Sequence, residues 1–265
     1  MRDFRLSPKF CRANLKLRGV DDELVSIQRR FRRRIQKLNP LPTFGHGGIA
    51  WHCEFLAGST LLRAEELLKS ALWALDSGAM ISAIVAHRAY QETAGFVSLA
   101  KREIEAAIDT RDSDKLRDTM GRLLVGSVFS RRLGITEAKE PFSARELMLA
   151  LNAHYESVFR EFPSDAMRRH YSELSDVAHP SSGSTWIYWR RRGRREYLSR
   201  TGRYATLRPE DLVLDLRMMS FVVLSQADAL CKLGGLDVSK FWADKPSSDR
   251  EIDPGTATTP STEVT

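Results

Sequence analysis

Long stretches of this chain repeat apolar residues at steps of three and four, the spacing that places side chains on one face of an α-helix. The segment 49–76 shows it most clearly, through Leu61, Ala64, Leu68, Leu72 and Leu75. At 265 residues the chain is long enough for such helices to bury a sizeable core. We therefore predict an all-α bundle of six to eight helices.

Capping and breaking residues set the ends of these helices. Serine or aspartate precedes several of the repeats, and Gly234 with Gly235 follows the last one. Pro180 must end the helix before it, because proline cannot continue one. The predicted helices are 21–37, 49–76, 80–108, 113–128, 143–159, 164–179 and 211–233. The last of them is apolar nearly all round, so we place it at the centre of the bundle.

One region departs from the helical pattern. Segments 185–190 and 196–199 are rich in aromatic and β-branched residues, and the arginine-rich stretch 191–195 between them contains Gly193. This pattern predicts a small basic β-hairpin inserted between helices. We divide the chain into an N-terminal basic helical segment (1–47), a helical bundle domain (48–236) and a C-terminal tail (237–265). The tail is rich in Pro, Ser, Thr and Glu, a composition typical of disorder.

The net charge of +7 is concentrated in segments 29–37 and 190–203. Such dense positive charge repels itself unless an anionic partner or acidic neighbours neutralise it. The first candidate partner is nucleic acid, RNA more than DNA, because aromatic residues that can stack on bases accompany the arginines. The candidate nucleic-acid-binding residues are Arg32, Arg33, Trp189, Arg190, Arg191, Arg192, Arg194 and Arg195. The alternative is that these segments are ordinary solvated faces.

The cysteines and the hydropathy bear on location. Three widely spaced cysteines do not make a disulfide framework or a zinc site, so we expect a cytoplasmic protein. The N-terminal residues lack the apolar run of a secretory signal, and the most apolar segment, 216–224, is too short to cross a membrane. His46 and His52 have no further ligands at a suitable spacing. We expect no metal, no cofactor and no membrane partner.

Two charged residues interrupt an apolar stripe on the third predicted helix. Arg88 and Glu92 stand in line with Ile81, Val85, Phe96 and Leu99. We predict that both are more than half buried and share a hydrogen-bonded network, with His179 arriving from another helix. Removing one partner would then cost roughly 3–5 kcal/mol, because it leaves the other charge buried and unpaired.

These motifs resemble a known family. The Arg-x-x-x-Glu of Arg88 and Glu92 is followed by a Leu-Ser-Asp-x-x-His-Pro helix end at 174–180, then a glycine-containing loop, a hairpin and a final helix. Over roughly 48–236 this order is similar to uncharacterised bacterial helical proteins grouped with the HEPN domains. The resemblance implies an antiparallel bundle, often a homodimer. HEPN domains occur in ribonucleases of toxin, phage-defence and CRISPR systems, and in inactive nucleotide-binding or scaffold proteins.

The positions of the histidines bear on whether this chain resembles the HEPN ribonucleases or the inactive HEPN proteins. The HEPN ribonuclease signature is an arginine followed, after four to six residues, by a histidine, and none of the six histidines here has an arginine at that distance. Our leading hypothesis is therefore a HEPN-like nucleic-acid-associated binding or scaffold module in a phage-defence or toxin–antitoxin system. The alternative is a divergent, metal-independent ribonuclease in which Arg88, Glu92 and His179 are catalytic. Equally, His179 can be a helix cap and the Arg88/Glu92 pair a structural network.

Overall fold

The computed structural model describes residues 3–17, 19–38, 48–125, 139–179, 189–192, 195–198 and 207–236. The α-helices in these residues are α1 Pro8–Ala13, α2 Val20–Lys37, α3 Gly48–Ser77, α4 Met80–Asp109, α5 Ser113–Val125, α6 Ala144–Val158, α7 Ala166–Ala178 and α8 Pro209–Gly234. A 3-10 helix, Leu15–Leu17, follows α1, and strands β1 Trp189–Arg192 and β2 Arg195–Leu198 pair antiparallel. The predicted all-α bundle with one small hairpin is confirmed.

The helix ends lie where local chemistry places them. Ser143 accepts a hydrogen bond from the Glu146 amide, and the Glu146 carboxylate accepts one from the Ser143 amide at 2.7 Å, which makes a capping box at the start of α6. Gly78 ends α3 with a φ of 79°, a left-handed conformation that glycine adopts without strain. The predicted limits of α3 and α4, 49–76 and 80–108, agree with the structure to within one residue.

The central helix is α4, which packs against α3, α5, α6, α7 and α8. The prediction that places α8 at the centre is wrong, because α8 packs mainly against α2, α3 and α4. Small residues let other helices approach α4 closely. At Gly95 an added Cβ would lie 2.7 Å from the Leu147 carbonyl oxygen of α6, so only glycine fits there.

The predicted N-terminal segment contributes to the bundle core. On α2, Leu24, Ile27 and Phe31 are buried in the same apolar cluster as residues of α3, α4 and α8. The predicted tail, 237–265, lies outside the described residues. Within the part of the chain that the structure describes, no helix has both the length and the apolar character needed to cross a membrane.

The hairpin is basic, as predicted, but its strands include more of the arginines. Arg191 and Arg192 lie in β1 and Arg195 lies in β2, whereas we expected them between the strands. The register pairs Arg191 with Glu196, and an opposite-charge pair stabilises an antiparallel ladder at that position. The hairpin side chains that the structure describes are exposed: Trp189, Arg191, Arg192, Arg195, Glu196 and Leu198.

Candidate functional site

Arg88 and Glu92 lie on the side of α4 that faces α7. The guanidinium of Arg88 donates two hydrogen bonds to the Tyr171 hydroxyl, from Nε at 3.0 Å and from Nη2 at 2.7 Å. That hydroxyl in turn donates to Glu92 Oε1 at 2.6 Å. Arg88 Nε also lies 3.5 Å from Glu92 Oε1. Tyr171 therefore links the two charged residues through one oxygen atom.

His179 completes the group. It is the residue that ends α7, it is exposed, and its Nε2 lies 3.3 Å from Arg88 Nη1. We call Arg88, Glu92, Tyr171 and His179 the α4/α7 polar cluster. The structure thus brings together the three residues that the sequence singled out, although His179 is separated from Arg88 by 91 positions in the chain.

The cluster is partly open to solvent. The Arg88 and Glu92 side chains are 26% and 31% exposed, so both are more than half buried and share a network, as predicted. Their stripe, however, borders the core and does not face it, because Val85 is exposed while Ile84 and His87 are buried. The cost of 3–5 kcal/mol applies to fully buried pairs and is too high here.

Sequence reasoning missed Tyr171. Nothing in its surroundings marks it, since it is one aromatic residue on the amphipathic α7, and only the packing of α7 on α4 brings it to Arg88. Burial and the hydrogen bond to Glu92 raise the pKa of its hydroxyl, against the opposing effect of Arg88. The phenol therefore stays protonated near neutral pH and donates to the carboxylate.

A cavity of about 280 Å³ adjoins the cluster. It lies where α3, α4 and α6 meet, and Glu92 lines it together with Ser59, Thr60, Arg63, Thr93, Phe96 and Leu147. Arg63 Nε donates to Thr93 Oγ1 at 3.0 Å. Glu92 therefore joins the Arg88–Tyr171 network to the cavity that Arg63 also lines.

The basic segment of α2 divides into paired and unpaired arginines. Arg29 pairs with Asp3, and Arg32, one of the predicted nucleic-acid contacts, pairs with Asp3 and with Glu65. These pairs offset part of the charge of both arginines, although Glu65 also pairs with Lys69, and Arg32 is mostly covered, with a side chain 28% exposed.

The remaining cations surround an open cavity. Arg30, Arg33, Arg34 and Lys37 line a cavity of about 220 Å³ against Leu224 and Asp228 of α8, and we call these four residues the α2 basic surface. Arg34 pairs with Asp228 at 2.7 Å. Arg30, Arg33 and Lys37 are exposed and have no acidic partner among the described residues.

The hairpin adds a third group of cations. The register places Arg192 directly opposite Arg195, and both side chains are exposed. Like charges at such a position destabilise a hairpin unless an anion lies between them. Trp189 is 36% exposed at the start of β1. Arg194 and the side chain of Arg190, also predicted contacts, lie outside the described part of the chain.

Comparison of the chain with protein-family models, with curated proteins and with solved structures gave no match.

Proposed function

We propose that this protein binds nucleic acid, RNA more than DNA, as a helical binding or scaffold module. The observation that carries the proposal is the α2 basic surface, where three exposed cations without acidic partners surround an open cavity beside Arg34. Its volume of about 220 Å³ is several times the volume that one water molecule occupies in the liquid, so the cavity admits a phosphate group. Phosphate neutralises charge that would otherwise repel itself.

The hairpin supports single-stranded RNA as the ligand. Trp189 offers a ring on which a base can stack, and Arg192 and Arg195 lie together to contact the backbone. Bases are free to stack on protein side chains only where they are unpaired, which favours loops and single strands over duplexes.

The test is the salt dependence of RNA binding. Fluorescence anisotropy with a labelled single-stranded RNA should give an affinity that falls steeply with salt. Each phosphate contact to a single strand contributes about 0.7 to the log–log slope, so Arg30→Ser with Arg33→Ser should lower it by about 1.4. Arg145→Ser with Arg160→Ser is the matched control, because both residues are exposed, neither is on α2, and the net charge is the same.

Three further results bear on this proposal. Arg192→Ser with Arg195→Ser should lower the slope by a similar amount if the hairpin holds the backbone. Trp189→Ala should weaken binding by about 1–3 kcal/mol with little change in slope, because stacking carries no charge. Equal slopes for the α2 double variant and its control, or binding that does not depend on salt, would overturn the role of the α2 basic surface.

The second candidate is a metal-independent ribonuclease, and the convergence of Arg88, Glu92 and His179 favours it. In that reaction an imidazole takes the proton of a ribose 2′-hydroxyl, the 2′-oxygen attacks phosphorus, and the 5′-oxygen leaves with a proton, giving a cyclic 2′,3′-phosphate. His179 has the exposed ring nitrogen for the proton transfers, and Arg88 beside it can stabilise the charge on phosphate.

His179→Ala distinguishes the two candidates. A ribonuclease loses cleavage of a labelled RNA in this variant while its affinity for RNA persists, and His52→Ala, outside the cluster, leaves cleavage intact. A binding module shows no cleavage in the parent protein. It instead loses about 1 kcal/mol of stability, because the His179 ring no longer contacts the Arg88 guanidinium.

The biological setting is also part of the proposal. The resemblance to HEPN proteins supports a role in phage defence or in a toxin–antitoxin system, and it implies a homodimer, which light scattering of the purified chain would detect. Cys11, Cys53 and Cys231 are free thiols in the structure, which supports a reducing, cytoplasmic location.

A further inference from the structure

A second polar group lies beside the α4/α7 polar cluster. His87 on α4, His170 on α7 and Asp215 on α8 each direct a nitrogen or oxygen atom to a common region, and these atoms lie within 4.8 Å of one another. The two imidazole rings meet nearly at right angles, with their centroids 5.4 Å apart. We call these residues the His–His–Asp triad.

His87 is the residue that calls for an explanation. Its side chain is 1% exposed, and neither ring nitrogen has a hydrogen-bond partner among the described residues. Buried polar atoms are nearly always paired, because an unpaired one loses its interaction with water and gains nothing in return. A structural histidine in a helical core would normally donate one N–H to a carbonyl oxygen or a carboxylate.

His170, beside Asp215, shows the same feature at one nitrogen. His170 Nε2 lies 3.3 Å from Asp215 Oδ2, yet the nitrogen makes no hydrogen bond within the described residues. Such a short distance without a hydrogen bond is expected when a nitrogen lone pair and a carboxylate oxygen both point towards a third atom. His87 and His170 each direct a ring nitrogen that makes no hydrogen bond towards the space that the Asp215 carboxylate oxygen also faces.

We propose that His87, His170 and Asp215 bind a divalent first-row transition metal ion. Imidazole and carboxylate are the usual ligands of zinc, cobalt, iron and manganese, and three protein ligands leave positions for water. Magnesium is excluded as the preferred ion because it selects oxygen ligands. The proposal does not depend on RNA binding or on RNA cleavage.

The geometry is compatible with such an ion. Ligands at about 2.1 Å in a tetrahedral site are about 3.4 Å apart, so the side chains close on the ion by rotations that move their tips by roughly an ångström. Burial lowers the pKa of His87 to about 3, so its ring is neutral and a nitrogen lone pair is available near neutral pH. The Asp215 side chain is 46% exposed, which gives the ion a path from solvent.

The ion would join three helices and support the neighbouring cluster. His87 precedes Arg88 and His170 precedes Tyr171, so each histidine ligand is attached to a member of the α4/α7 polar cluster. Holding the two histidines fixes the register of α7 on α4, and with it the hydrogen bonds between Arg88 and Tyr171. The sequence prediction of no metal rested on the cysteines and on His46 and His52. His87, His170 and Asp215 are 83 and 45 positions apart, so no local spacing reveals them.

The test uses the full chain, freed of metal with EDTA and dialysed, and titrated with Co²⁺. We expect one Co²⁺ per chain, visible absorption bands that Zn²⁺ abolishes and Mg²⁺ does not, and a higher melting temperature with Zn²⁺. Asp215→Asn should weaken Co²⁺ binding at least about tenfold, since even the loss of an outer-shell partner costs 10–100-fold.

Asp211→Asn is the matched control. Asp211 is a carboxylate one turn earlier on α8, with a side chain also 46% exposed, and it is not one of the triad. Because Asp215 is at the surface, its variant should fold even if replacement of the buried His87 prevents folding. No Co²⁺ spectrum in the parent protein, or equal Co²⁺ affinities for Asp215→Asn and Asp211→Asn, would overturn the proposal.

Discussion

Helix α4 presents two unlike sides to its neighbours. Towards α8 the contact is largely apolar, and it includes a closed pair in which the hydroxyls of Tyr90 and Ser220 lie 2.7 Å apart and both residues are fully buried. Towards α7 the contact is largely polar. It includes the bonds of Arg88 and Glu92 to Tyr171, and Gln91 donates to the Met167 carbonyl oxygen at 3.1 Å.

The two sides have different physical consequences. Burial of apolar area stabilises the fold by about 25 cal/mol per Å², and the α3 and α8 side of α4 supplies it. Polar and charged groups in a half-buried contact contribute little net stability, because desolvation offsets their attraction. A contact that adds little stability and collects titratable groups is where function is expected, so the α7 side is the candidate site.

The largest loss of stability should come from a substitution on the apolar side of α4, which faces α3 and α8. Ile84 of α4 is completely buried, so Ile84→Ala should lower the free energy of unfolding by about 2–5 kcal/mol through lost burial and a cavity. Chemical denaturation followed by circular dichroism measures this. Exposed Val85, the next residue, is the control, and Val85→Ala should change stability by less than about 0.5 kcal/mol. Similar losses for the two variants would contradict the assignment of the faces.

The same two residues show what the sequence could predict. The repeat of apolar residues located α4 to within one residue, but Val85 and Ile84 fit alternative stripes, and the sequence alone selected the wrong one as the core face. Periodicity predicts that a helix is present. Which of its faces is turned towards the core depends on the helices that cover it. Here α4 is covered on most sides, so a single stripe does not define its core face.

The candidate site was predictable to a similar degree. Arg88 and Glu92 were found because charges interrupt an apolar repeat, and His179 because it precedes a helix-breaking proline. Tyr171 and the His–His–Asp triad gave no such local signal. Their partners lie on other helices, and only the packing of α7 and α8 against α4 brings them together.

The second largest loss of stability should come from a substitution on the polar side of α4, which faces α7. Arg88→Ala removes the bonds to Tyr171 and leaves Glu92 without its cation, which should cost about 1–3 kcal/mol because the pair is only partly buried. A double-mutant cycle with Tyr171→Phe should give a coupling of about 0.5–3 kcal/mol. Additive losses, or an Arg88→Ala melting temperature within a degree or two of the parent, would show that the cluster is not an energetic network.

A matched pair of tyrosines compares the two sides directly. Tyr90→Phe should cost about 1 kcal/mol and leave RNA binding unchanged, because the Ser220 hydroxyl still lies 2.6 Å from the Leu216 carbonyl oxygen. Tyr171→Phe should cost a similar amount but also change any RNA affinity or cleavage that depends on Arg88, since that guanidinium loses its positioning group. Identical functional effects from both variants would remove the distinction between the two sides.

The smallest loss of stability should come from a substitution away from both sides of α4, in the capping box of α6. Glu146→Gln keeps a side-chain oxygen for the Ser143 amide but removes the charge that pairs with Arg122 and with the start of α6, so it should cost about 0.3–1 kcal/mol at neutral pH. Burial opposes ionisation of this carboxyl, but bonds from Ser143 and Arg122 outweigh it and lower its pKa. Its contribution is therefore complete above the ordinary glutamate pKa of about 4.3 and is lost as the pH falls through the lower folded value. Denaturation midpoints of parent and variant should converge in acid, and a gap that widens there would contradict this sign.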